Sequence, residues 1–214
     1  MKRAAGTAAA LVLMLTMPLL VFGACGGDGD DEGDGQTVER TTCRPATPIT
    51  PQPSGDLPEG VKEYQSPERA YRVTYPDAWE VEPNGVSVQN IVGDIFYASE
   101  AQGDVKPNIS VSCETVPVGT TTQEFFDAKS EVIERIVGVR PELERTLTLD
   151  GNEGFVVEYP VVKERTPEPV QIDKIEVFFA DDLGGWTIAL VVPQGMVEQY
   201  RALFDDFLSS FDRY

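Results

Sequence analysis

The sequence predicts an α+β domain, an antiparallel sheet carrying two helices, preceded by a disordered tether. Three observations carry the prediction. Apolar residues alternate at period two in a series of short runs, and the period becomes helical in only two places. The connections are hairpin-length, which suits antiparallel strands; a parallel sheet needs long crossovers. No glycine-rich phosphate loop accompanies the strands.

The domain is read over residues 61–214 in the order β5αβ4α. Tyr71, Val73 and Tyr75 alternate, and Trp79 and Val81 follow the Pro76-Asp77 turn. The runs Val86 to Asn90, Ile95 to Ala98 and Asn108 to Glu114 complete a β-rich first half. Phe125, Ala128, Val132 and Ile136, beside Phe126, Ile133 and Val137, then recur at helical spacing from Thr122 to about Val137. Thr121 and Glu124 form a capping box ahead of that helix, and Gly138 ends it. Leu143 to Leu149 and Gly154 to Val161 flank Asp150-Gly151-Asn152, whose residues accept the positive φ of a tight turn. Ile172 to Ala180 and Trp186 to Val192 make a second hairpin around 181–185, and Lys163 to Pro169, with two prolines, reads as an exposed loop. From Met196 to Phe211, Val197, Tyr200, Phe204, Phe207, Leu208 and Phe211 draw one apolar stripe, so that helix packs on the sheet.

Composition narrows the chemistry. The 214 residues suffice for one domain plus tails, and 36 acids against 17 bases give a net charge of −19, which argues against nucleic acid as a partner. With no histidine, Ser-His-Asp and Cys-His catalysis and His-ligated metals are excluded. Three cysteines without a CxxC pair cannot build a Cys₄ zinc site or hold an iron-sulfur cluster on thiolates alone. No metal site and no cofactor are expected.

The first residues are an address. Lys2 and Arg3 precede an uncharged run from Ala4 to Ala24, and its strongly apolar part, Leu11 to Phe22, is too short and too broken by Pro18 for a membrane span. The order Leu20-Val21-Phe22-Gly23-Ala24-Cys25 resembles the lipobox of bacterial lipoproteins, with Phe22 where a small aliphatic is usual. That resemblance implies a signal peptide over 1–24, cleavage before Cys25, and attachment of lipid to Cys25. The protein is then held to the extracytoplasmic face of the cell membrane by its N-terminal acyl chains, each buried CH₂ adding about 0.8 kcal/mol. Loss of Lys2 and Arg3 takes the net charge from −19 to −21, which resists adhesion to anionic headgroups.

Residues 25–60 read as a disordered tether, acidic and Gly-rich over 26–35 and Thr/Pro-rich over 41–60, with almost nothing to bury. Its reach is several tens of Å, up to about 100 Å. Within it Asp28, Asp30, Glu32, Gly33 and Glu39 fall at positions 1, 3, 5, 6 and 12 of an EF-hand-type loop. Glutamate at position 5, Gly35 at position 8 and the missing preceding helix make it a solvated acidic spacer. Once Cys25 is lipidated, Cys43 and Cys113 are the remaining thiols in an oxidising compartment. They either pair, pinning the tether to the domain, or Cys113 is simply buried on the apolar face that it shares with Ile109 and Val111.

Further residues carry a second resemblance: Tyr71 to Trp79 (YRVTYPDAW), Gly154 to Tyr159 (GFVVEY), Trp186 to Leu190 and the ending Phe207-Leu208-Ser209-Ser210-Phe211. They resemble the PsbP-like family, which includes an extrinsic photosystem II protein and bacterial envelope lipoproteins of the DcrB and LpqN type. The resemblance implies an αβα sandwich and a non-catalytic, partner-binding habit, and it carries over no ligand residues.

Local candidates for chemistry read as structure. Asp181-Asp182 sit where a hairpin wants turn formers, and Asp205-Asp206 lie on the last helix beside its apolar stripe. Ser209 and Ser210 have no lysine or histidine at useful spacing. Trp79 and Trp186 could stack on a sugar but stand inside strand patterns, and Asn108-Ile109-Ser110 matches a glycosylation acceptor that rarely applies in a bacterium. The expected function is a lipid-anchored envelope protein whose domain binds a protein or envelope component without catalysis. The alternatives are an extracytoplasmic small-ligand or lipid carrier and a carboxylate-dependent cell-wall hydrolase.

Overall fold

Ten strands in two sheets and two helices make up the computed structural model, which describes residues 38–47, 49–51, 55–163 and 169–214. The signal peptide, Cys25, the positions from Asp28 to Gly35 and most of the loop read at Lys163 to Pro169 lie outside the described residues. The strands are β1 (Val61–Ser66), β2 (Tyr71–Pro76), β3 (Glu80–Val88), β4 (Ile91–Tyr97), β5 (Asn108–Glu114), β6 (Arg145–Leu149), β7 (Asn152–Lys163), β8 (Val170–Ala180), β9 (Gly185–Pro193) and β10 (Asp212–Arg213). The helices are α1 (Thr122–Val137) and α2 (Val197–Ser209).

Every pairing is antiparallel, the hairpin-connected ones as their short turns require. A seven-stranded sheet runs β3-β4-β5-β9-β8-β7-β6, and a small second sheet, β1-β2-β10, was not expected. β1 was hidden because VKEYQS has no strong apolar alternation, and it forms by laying six residues against β2. β10 was hidden by the apolar stripe of the last helix, which carries past the helix end at Ser209 to Phe211. The runs read around Val81 and Val86 are one strand, β3, with a bulge between Glu82 and Val86 where Asn84 takes φ 57°. Pro83 is tolerated there because β3 is an edge strand and a missing N–H breaks no ladder.

The large sheet separates two cores. On one face α1 lays Phe125, Phe126 and Ile133 against Phe155, Val157 and Phe178 of β7 and β8. On the other, Phe204, Phe207 and Leu208 of α2 and the small sheet bury Ile109, Val111, Val177, Ile188 and Leu190. Rings fill this second core: Phe179 stacks on Trp186 at 5.9 Å, Tyr71 on Phe211 at 5.5 Å, and Phe96 meets Phe207 edge-on at 5.1 Å.

α1 begins as its sequence dictates. The Glu124 N–H donates to Thr121 Oγ1 at 3.2 Å, and the Thr121 N–H and hydroxyl each donate to Glu124 Oε2 at 2.9 Å. Gly138, at φ 81°, closes the helix by donating to the Glu134 carbonyl. Thr121→Ala is expected to lower stability by about 1 kcal/mol, read as a lower urea midpoint with an unchanged slope.

One boundary moves. Thr37–Tyr214 forms one compact unit, so the domain takes in part of what composition assigned to the tether. Residues 39–43 run as a strap against the 115–120 loop and the β8–β9 turn, at one end of the large sheet. Val118 N–H donates to the Glu39 carbonyl at 2.9 Å, Thr41 N–H to the Val116 carbonyl at 2.9 Å, and Cys43 N–H to the Leu183 carbonyl at 2.8 Å. Thr41 Oγ1 also donates to the Val116 carbonyl and accepts from its N–H, so burying this threonine leaves its hydroxyl and N–H matched. Cys43 and Cys113 are joined by a disulfide with Cα atoms 5.7 Å apart, and both are buried, at 1% and 0% exposure.

Candidate functional site

The structure disperses the local candidates for chemistry. Asp181 is a turn residue: its Oδ1 accepts from the N–H groups of Leu183 (2.7 Å) and Gly184 (3.1 Å), and its Oδ2 pairs with Arg213. Burial pushes its carboxyl above the usual range, against the pull of Arg213. Its neighbour Asp182 is exposed. Asp205 pairs with Arg145 at 2.6 Å, and Asp206 faces solvent. Ser209 and Ser210 each donate to a helix carbonyl at 2.8 Å, from Asp206 and Phe207. Trp79 and Trp186 are core residues. Asn108 is half-buried and donates to the Lys106 carbonyl. Among the described residues no group of three or more Cys, Asp or Glu is placed to hold a metal ion.

Two buried polar clusters hold the architecture. Asp94 of β4, fully buried, accepts from Arg69 Nη1 at 2.9 Å on both oxygens, from Tyr71 OH at 2.6 Å and from the Asn84 N–H at 2.8 Å. Arg69 also donates to Ser66 Oγ and Asn84 Oδ1. This links the β1–β2 turn, the β3 bulge and β4. Burial, then the Asp94 charge, pushes the Tyr71 phenol far up and the Tyr64 phenol up to about 12. Beneath α1, Glu176 accepts from Tyr159 OH and Lys174 Nζ, each at 2.5 Å.

The candidate site is the part of the large sheet that α1 leaves open. α1 packs on β7 and β8, and beyond it β9, β5 and β4 present the opposite set of side chains from the α2 core. In β5 alternation is complete: Ile109, Val111 and Cys113 are buried, while Asn108, Ser110, Ser112 and Glu114 are half-buried on the open side. Register sets Thr187 beside Ser112 and Ala189 beside Ser110 on one flank, and Gly93, Ile95 and Tyr97 on the other. The hydroxyls of Ser110 and Thr187 meet no protein partner among the described residues, which leaves a small-residue floor with free hydrogen-bonding capacity. Lys106 Nζ lies 5.3 Å from the Tyr97 ring at one end.

At the other end the floor runs into a cleft of about 540 Å³ between α1 and the 115–120 loop. Its apolar lining is Val116, Pro117, Val118, Phe125, Ala128 and Val132, and Arg40 of the strap completes it. Gly185 of β9 makes room for the wall, because a Cβ there would stand 2.3 Å from the Phe125 ring. Both carboxylates that line the cleft are engaged. Glu114 pairs with Lys129 and accepts from Asn90, and Glu124 is held below the usual carboxylate range by the Thr121 N–H and then its hydroxyl. The arrangement can bind; it offers no free acid and base facing one another.

No family model matches the chain, and no curated protein matches it. Solved structures do. The solution structure of cyanobacterial PsbP (CyanoP) from Synechocystis is similar with a TM-score of 0.51 at 15% identity, over 77% of this chain and 98% of that one. The fold is PsbP-like. LpqN, described as involved in cell envelope biogenesis of Mycobacterium tuberculosis, is similar with a TM-score of 0.44 at 10% identity, over 71% of this chain and 90% of that one. At these identities the PsbP-like likeness speaks for architecture alone. The open floor and its cleft were not read from the sequence. The alternation of Asn108, Ser110 and Ser112 was the available signal, because a solvent-side row of small hydroxylated residues beside a helix that covers only two strands marks an unroofed sheet.

Proposed function

We propose that the chain is a bacterial envelope lipoprotein. Acyl chains on Cys25 hold it to the extracytoplasmic face of the cell membrane, and its PsbP-like domain binds a protein or envelope component without catalysing a reaction. The observation that carries the reading is the face of β5 beside α1: Ile109, Val111 and Cys113 are packed to full burial on one side, while Ser110 and Ser112 on the other stay half-exposed, flanked by half-buried Thr187 of β9, and the Ser110 and Thr187 hydroxyls meet no partner among the described residues. Sheet faces that only solvate a protein tend to carry long charged side chains; this one carries half-buried Ser110, Ser112 and Thr187, which let another surface approach closely. The absence of histidine and the engagement of Glu114, Glu124, Asp181 and Asp205 support a binding role over hydrolysis. The cleft is open to solvent, which favours a partner's surface over an enclosed carried ligand.

The test is recovery of the C-terminally tagged protein from gently solubilised native membranes. A stoichiometric partner is expected with the wild type and is expected to be lost with Ser110→Arg, which roughens the floor and leaves the core intact. A partner retained by Ser110→Arg, or by the leader and tether with the domain deleted, overturns the reading of this face. Separately, Cys25→Ala is expected to move the protein from the membrane fraction to the soluble one, and retention in the membrane overturns the anchor.

A further inference from the structure

The strap changes where the domain is held. Were Val61 the first residue of the domain, the leash from Cys25 would be residues 26–60. Because Glu39, Thr41 and Cys43 are bound to Val118, Val116, Leu183 and Cys113, the chain leaves the domain at Val38, and the leash is residues 26–37. Thirteen peptide steps span no more than about 45 Å. Residues 44–60 lie in sequence between the disulfide and β1, so they add nothing to this reach.

The exit point is also the rim of the cleft. Arg40 lines it, Glu39 is bonded to Val118 of its wall, and Val38 and Val118 are among the most exposed large apolar residues, at 66% and 58%. The short leash therefore keeps the cleft, whose rim is the exit point, within about 45 Å of the lipidated residue. A wall polymer offers sugars and charged peptides, which match the accessible apolar side chains of Val118, Ala128 and Val132 poorly. We infer that the cleft between α1 and the 115–120 loop receives an apolar side chain from the membrane-proximal extracytoplasmic segment of an integral membrane protein. This rests on the anchoring proposed above and names the partner class for the same face.

The experiment is photocrosslinking in native membranes with full-length protein carrying p-benzoylphenylalanine at Val118, and at the exposed Val162 as the comparison site. A Gly/Ser insert of thirty residues is placed either in the leash, after Gly33, or in the loop, after Gln52. A product with a protein that resists alkaline carbonate extraction is expected at Val118 and not at Val162. Effective concentration falls as about the −3/2 power of linker length, so the leash insert is expected to lower the Val118 yield roughly sixfold. The loop insert is expected to leave it unchanged. Equal loss from both inserts, no loss from the leash insert, or a product formed equally at Val162 overturns the inference. If the anchoring itself is wrong, the protein is absent from the membrane fraction before irradiation, which separates the two failures.

Discussion

Asp94→Asn is expected to destabilise the domain by about 3–5 kcal/mol, which for a domain of this size lowers the melting temperature by roughly 10 °C. The side chain keeps its shape and loses its charge, and that is enough. Arg69 is 2% exposed, and its guanidinium faces one carboxylate. With asparagine there, a buried cation has no counter-charge, and an amide NH₂ is turned toward donors from Arg69, Tyr71 or the Asn84 backbone. Among the described residues Arg69 Nε is already buried without a partner, so the cluster holds no reserve of satisfied bonds. The damage spreads because the cluster clamps two backbones in positive φ, Ala70 at 56° in the β1–β2 turn and Asn84 at 57° in the β3 bulge. The partner experiment is the pair Arg69→Met with Asp94→Leu, which removes both charges together and is expected to be less destabilising than Asp94→Asn alone. Urea unfolding of the three proteins decides it. A cost under 1 kcal/mol for Asp94→Asn, or a pair worse than the single change, would sink the claim that this ion pair braces the small sheet against the large one.

That cluster also shows how far the sequence could be read. Helix α1 was legible to the residue because its signals are local: a capping box at Thr121 and Glu124, a helical apolar period, and a glycine at the end. The later hairpins were legible because Asp150-Gly151 and the 181–185 turn punctuate dense β-branched runs. The core face of β4 was legible only from Ile95 onward. Extending its alternation backward from Phe96 would have set Asp94 inside, and an aspartate on a buried parity is a signal that a partner cation exists. The partner, Arg69, lies in a polar turn with no pattern to mark it. The strap was illegible for a different reason. TTCRP has the composition of a spacer, and it is ordered through backbone bonds and one covalent link to residues seventy or more positions away. The cleft inherits that blindness, since Arg40, Val118 and Val132 converge from three separate segments.

Replacing both Cys43 and Cys113 by alanine is expected to cost about 4 kcal/mol, the chain entropy returned to the unfolded state when a crosslink of sequence separation 70 is removed. The loss is expected to be local in the folded state as well. Without the covalent link, the strap depends on the bonds of Glu39, Thr41 and Cys43 to the 115–120 loop and the β8–β9 turn, too few to hold its order firmly. Trypsin is therefore expected to cut after Arg40 in the alanine pair and in reduced wild type, and to leave the oxidised protein intact there. Gly184 supplies an internal check, because a Cβ at this position would stand 2.5 Å from Cys113 Sγ, 2.9 Å from Cys43 Sγ and 2.7 Å from the Glu114 carbonyl. Gly184→Ala should then be far more damaging in the oxidised wild type than in the alanine pair, where the two sulfurs are gone and only the carbonyl resists. A double-mutant cycle on unfolding free energies measures that coupling directly. Additive effects would mean that Gly184 serves the β8–β9 turn alone. Equal midpoints and equal cleavage in oxidised and reduced protein would mean that the strap stays in place without its disulfide, and the short leash would then rest on hydrogen bonds.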